Sequence, residues 1–239
     1  GGIDVLNVSE KKLSALGIFV SPGAFGIYYG TLLGRGNDFS SVFILLALIA
    51  MIVLIIAVHK AQRGRYPENA LFSLAGAGSR EVILAISCVF LVVCLRSYVG
   101  LALNFSWKSS GYWGTVLICA VVLGKTLGGF ATDHFGLSKT SLLSLGIASF
   151  LFLFPQIPLA GVAAILLFNM TMPVTLWIVA KLLPGAKGFS FGLLTFGLFI
   201  GFLPVYLGVD VSSIASWLFP ALSAASLILL LIGLRRSKL

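Results

Sequence analysis

The chain has 239 residues, 59% of them hydrophobic and 10% charged, with a mean hydropathy of +1.10 and a formal net charge of +9. A soluble domain carries about 25% charged residues, so this composition excludes a core covered by water; lipid must cover most of the surface. The basic excess does not indicate nucleic acid either, because the cations sit in short gaps between apolar runs, the arrangement that orients helices in a bilayer.

A spanning helix needs about 20 mainly apolar residues to cross the hydrocarbon. Apolar runs bounded by charges or turn residues predict eight such helices, over 13–33, 41–58, 82–103, 112–132, 141–154, 159–180, 189–207 and 214–234. Backbone polar groups must be satisfied within a span, so these runs are expected to be helices, giving an all-α polytopic membrane protein. The fifth run is short and is expected to recruit flanking residues.

Loop charge orients the helices. The N-terminal segment and every second gap after it hold Lys11, Lys12, Lys60, Arg63, Arg65, Arg80, Lys139, Lys181, Lys187, Arg235, Arg236 and Lys238. The alternate gaps hold only Arg35 and Lys108. Twelve against two predicts that both termini lie in the cytoplasm; the membrane itself is expected to be the plasma membrane. The longest connection, 59–80, reads as a cytoplasmic linker between the helices of 1–58 and a six-helix block over 81–239, since short helix–helix connections are the norm. Cys88, Cys94 and Cys119 all fall inside apolar runs, where buried thiols are the simplest reading.

The segment after the fourth run is Gly128-Gly129-Phe130-Ala131-Thr132-Asp133-His134-Phe135-Gly136-Leu137-Ser138-Lys139. It resembles the G-x-x-x-D-x-x-G turn of major facilitator transporters, which recurs in that superfamily between helices two and three and between helices eight and nine. Gly129 allows close helix packing, Asp133 can accept from a neighbouring helix N-terminus or a basic side chain, and Gly136 permits a tight turn. The pattern departs from the superfamily at Leu137 and Ser138, and the cation, Lys139, comes late. In the first run, Gly17 to Gly26 with Ser21-Pro22-Gly23 resembles the helix-five motif of exporters in the same superfamily, with Ser21 and Phe25 in place of two of its glycines. Gly26, Gly30 and Gly34 continue it as a face of small residues.

Together the two matches imply helices 5–12 of a twelve-helix major facilitator fold, with 1–7 as the tail of helix four. The sequence would then be the C-terminal two-thirds of a carrier, with 1–58 the remnant of its N-terminal bundle. The resemblance implies a secondary active transporter working by alternating access, as an efflux antiporter of a drug or metabolite. Its partners would be a small-molecule substrate, the bilayer and, as a candidate coupling ion, protons. The alternatives are an uptake symporter of the same superfamily or a truncated membrane protein without transport.

Ionisable groups inside a span are costly and are therefore functional candidates. Arg96 is predicted in the outer half of its span, with Gly100 and Asn104 following at four-residue intervals to form one face. Lys125 falls near mid-span, where the competing reading is snorkelling towards the interface. The sixth run carries Asn169, Thr171, Pro173 and Thr175 near its midpoint. Pro173 has no N–H, so the carbonyl of Asn169 loses its helical donor and becomes either a ligand contact or a satisfied kink. Pro22 and Pro204 release the carbonyls of Ile18 and Ile200 in the same way, which makes Gly17, Pro22, Gly26 and Pro173 candidate packing and hinge positions. No Asp or Glu falls inside any predicted span, so a proton-relay acid would have to lie elsewhere. Alternatively, the two cations attract an anionic substrate. A membrane enzyme is disfavoured: His59 and His134 are the only histidines, and no metal-binding or phosphate-binding motif is present, so no cofactor or metal is expected.

Overall fold

The computed structural model describes residues 2–8, 12–35, 41–61, 78–211 and 214–237, and every element among them is helical. Four come first: α1 (Gly2–Val8), α2 (Leu13–Val20), α3 (Gly23–Arg35) and α4 (Ser41–Ala61). They are followed by α5 (Arg80–Ala102), α6 (Trp113–Phe135), α7 (Leu137–Leu151), α8 (Pro158–Asn169), α9 (Thr171–Leu182), α10 (Lys187–Tyr206) and α11 (Ala215–Ser237). The pairs α2/α3 and α8/α9 each form one interrupted span, so seven helical segments are long and apolar enough to cross a membrane. The eighth, α7, has 15 residues, or about 22 Å of helix. The chain is an all-α, integral multi-pass membrane protein of about eight helices.

The fifth span shifts furthest from expectation, from 141–154 to Leu137–Leu151. Gly136 has φ 84° and ψ 163°, a region essentially closed to side chains with a Cβ. The chain therefore reverses in one residue, and α7 starts immediately after it. Residues 62–77, which hold most of the expected linker, lie outside the described residues.

Helix α5 packs on both α10 and α11, α7 on α8 and α11, α6 on α8 and α9, and α2 on α6. Missing Cβ atoms permit the closest approaches. A Cβ on Gly201 of α10 would fall on the Cys94 carbonyl oxygen of α5. Serines then join helices through backbone carbonyls: Ser97 Oγ donates to Leu198 O (2.6 Å), Ser149 Oγ to Pro220 O (2.8 Å) and Ser223 Oγ to Leu145 O (3.2 Å). Lipid supplies no hydrophobic drive for helix association, so small residues and interhelical hydrogen bonds do that work. By contrast, α4 is apolar on all sides and exposed throughout 42–61, as a lipid-facing helix is.

At the α5–α6 turn an aromatic cluster forms. Trp107 stacks on Phe105 at 4.6 Å, meets Trp113 edge-on and donates its indole N–H to Pro155 O (2.9 Å). Such rings suit a membrane–water interface. The opposite end of the bundle holds Asp133.

Candidate functional site

Two arrangements stand out, both built on α6. The first lies at its C-terminal end. Lys12, the N-cap residue of α2, makes no side-chain cap, leaving the first amides of that helix without intrahelical acceptors. Asp133 supplies the cap from 120 residues further along the chain: Leu13 N–H donates to Oδ1 (2.7 Å) and Ser14 N–H to Oδ2 (2.9 Å). A carboxylate suits this position twice over, accepting two orphan donors and facing the positive end of the helix dipole.

One turn back, Gly129 makes the contact sterically possible. A Cβ there would lie 2.5 Å from Leu13 O and 2.8 Å from Ser14 Cα. Gly17 on α2 fits reciprocally, since its Cβ would lie 2.8 Å from Lys125 O and 3.3 Å from Gly129 Cα. The helices thus cross backbone to backbone over two glycines, and Asp133 closes the crossing at its end. Gly136 makes the turn into α7. Lys139, in the first turn of α7, is exposed.

The second arrangement lies within the spans. Arg96 on α5 is 8% exposed, and Lys125 on α6 is 9% exposed. Arg96 Nη1 donates to Thr175 Oγ1 at 3.2 Å, and Thr175 Oγ1 in turn donates to Met172 O at 2.9 Å. The helices that carry the two cations, α5 and α6, both pack on α9. Lys125 is ten residues from the end of α6, about 15 Å, which is further than its four-carbon stem reaches.

The interrupted span α8/α9 forms the opposite wall. Its break falls at Met170, whose N–H bonds back to Leu167 O in a tight turn ahead of Pro173. The break approaches α6 because Gly124 and Gly128 lack side chains. A Cβ on Gly124 would fall on Leu166 O and 3.2 Å from the Asn169 Cβ, and one on Gly128 would fall on Met170 O. Asn169 Nδ2 donates to Ile165 O (2.8 Å), while buried Thr171 donates to Phe168 O (3.2 Å). Both side chains therefore satisfy their own helix.

Two expectations change, and one open alternative closes. Asn104 does not share a face with Arg96: α5 ends at Ala102, Leu103 turns to extended backbone, and Asn104 is exposed in the following turn. Gly100 is exposed while Arg96 is buried, so the face is interrupted within the helix as well. Gly26, Gly30 and Gly34 meet nothing within 4 Å among the described residues. At Pro22 the released Ile18 carbonyl is not free, because Ser21 Oγ donates to it at 3.0 Å.

Thr175 stands among the polar residues at the middle of its span but without a partner read from sequence, and the Gly124–Gly128 pair is not assigned to the site there. The small-x-x-x-small spacing beside Lys125 was the available signal for the pair. Nothing in the sequence marks Thr175 as the partner of Arg96 over the neighbouring Thr171. A scan against protein-family models finds no match to the chain, and searches of curated proteins and of solved structures find none either.

Proposed function

We propose that the chain is the major-facilitator-type portion of a secondary transporter, exporting a small solute by alternating access across the plasma membrane, with both termini cytoplasmic. The observation that carries this reading is the capping of α2 by Asp133 over the Gly17–Gly129 crossing. Two backbone N–H groups donating to one carboxylate where two helices meet form a contact strong enough to hold one state and weak enough to release. An α2 that lifts from α6 at this end would open a path between them towards Lys125.

The interrupted spans support the same reading. Irregular backbone at membrane depth is tolerated where it lines a cavity or is buried in protein, and transporter sites cluster at that depth. The break at Met170 faces α6 beside Lys125, and Pro22 allows α2 to move separately from α3.

Metabolite profiling of expressing cells tests the proposal while the substrate is still unidentified. Cells producing the full chain should release at least one solute faster than cells producing Asp133→Asn, with matched protein levels in the membrane. Identical profiles inside and outside the cells would overturn the transport reading.

A further inference from the structure

Resting on that transport reading, we propose that the solute is a small organic oxyanion bound between Arg96 and Lys125, with a carboxylate, phosphate or phosphonate as its recognised group.

The argument begins with an imbalance of charge. Arg96 and Lys125 are more than nine-tenths buried, and no described carboxylate faces either. Among the described acids, Glu81 pairs with Arg236 at 3.0 Å and Asp133 caps α2, while Asp4 lies in α1 and Asp210 after α10. The remaining acids, Glu10, Asp38 and Glu68, lie outside the described residues. Among the described residues Lys125 has no hydrogen-bond acceptor, and Arg96 has one partner, a neutral hydroxyl. Buried cations without a carboxylate partner destabilise the ligand-free state, and proteins retain such groups at depth where they serve an ion or a substrate.

The two cations border the same interrupted span. Arg96 of α5 is bonded to Thr175 of α9, and α6, which carries Lys125, packs on α9 as well, with a Cβ on Gly128 falling on Met170 O at the break. A guanidinium presents a planar fork to two oxygens and an ammonium adds a point charge, a combination that fits an oxyanion head. Thr175 fixes the guanidinium from the opposite wall.

The full chain in nanodiscs, followed by melting temperature, provides the test. Inorganic phosphate, methylphosphonate and succinate are the anionic probes, with tetraethylammonium and glucose as the cationic and neutral ones. At least one anion should raise the melting temperature saturably, and tetraethylammonium and glucose should not. Comparing phosphate and methylphosphonate with succinate separates a phosphoryl head from a carboxylate. Arg96→Met and Lys125→Met should each weaken that response at least tenfold while leaving the ligand-free melting temperature unchanged or higher, because each removes an unpaired buried charge. Arg96→Lys should keep a weaker response. A ligand-free melting temperature that falls in both Met variants would identify the cations as structural and overturn the inference, as would a response that survives both substitutions or is absent for every anion. Vesicle flux separates the two readings. An anion that binds but is never moved refutes transport alone, whereas flux of a neutral or cationic solute that is indifferent to both Met substitutions refutes the anion site alone.

Discussion

Replacing Asp133 removes two hydrogen bonds from the first turn of α2 and one negative charge from beside its dipole. Loss of a side-chain cap costs about 0.5–2 kcal/mol, and loss of the favourable charge about 0.3–1 kcal/mol. Asp133→Ala should therefore cost about 1–3 kcal/mol locally, equivalent to a five- to 150-fold increase in opening of that turn. Asp133→Asn keeps one acceptor oxygen without the charge and should fall near the lower figure. Hydrogen–deuterium exchange in nanodiscs reads this directly in the peptide covering Leu13–Val20, with α11 as the internal reference. Exchange should accelerate in the first peptide and not in the second. Unchanged exchange at 13–14 in the Ala variant would refute the cap. Equal acceleration in both peptides would show global loosening and refute its local character.

Glycine substitutions should divide by contact. Gly128→Ala, whose Cβ would fall on Met170 O, should lower the melting temperature severely or prevent recovery of folded protein, whereas Gly30→Ala meets nothing within 4 Å and should gain about 0.5–1 kcal/mol of helix propensity. Gly136→Ala forces a side chain into a glycine-only region at φ 84° and should cost about 1–3 kcal/mol, seen as a lower melting temperature. Glu81→Gln breaks a pair with Arg236 in which both side chains are about half exposed, and a shift above about 1 kcal/mol in thermal or denaturant stability would contradict that reading.

The sequence makes the helices legible because hydrocarbon leaves the backbone few alternatives: an apolar run of spanning length must be a helix. Gly136 was also legible as a turn, since glycine after an α-helical run marks a reversal. Helix ends near interfaces were not. Asn104 follows Arg96 at helical spacing, yet α5 stops at Ala102 as Leu103 becomes extended and buries its side chain. Periodicity cannot see that the chain leaves the helix to bring Phe105 onto Trp107 and Gly161. The proline kinks illustrate the same limit. Proline guarantees a released carbonyl, but whether it is free depends on a neighbour such as Ser21, whose hydroxyl donates to Ile18 O.

Lys125, Gly129 and Asp133 follow one another at four-residue intervals, so they share one face of α6. That face holds the buried ammonium within the span, the glycine over which α2 crosses, and the carboxylate that fastens the end of α2. Gly17 of α2 touches the Lys125 backbone and Gly129 together, so α2 cannot rise from Asp133 without changing what covers Lys125. Coupling between an end contact and a central site then needs no long chain of intermediaries. The same helix pair carries both, with Gly17 as the pivot between them. An anion that neutralises Lys125 would alter the electrostatics of the crossing from within, while release of the Asp133 cap would alter access to Lys125 from the end. Each event would change the free energy of the other by the same amount, as linkage requires when two sites bias one two-state element.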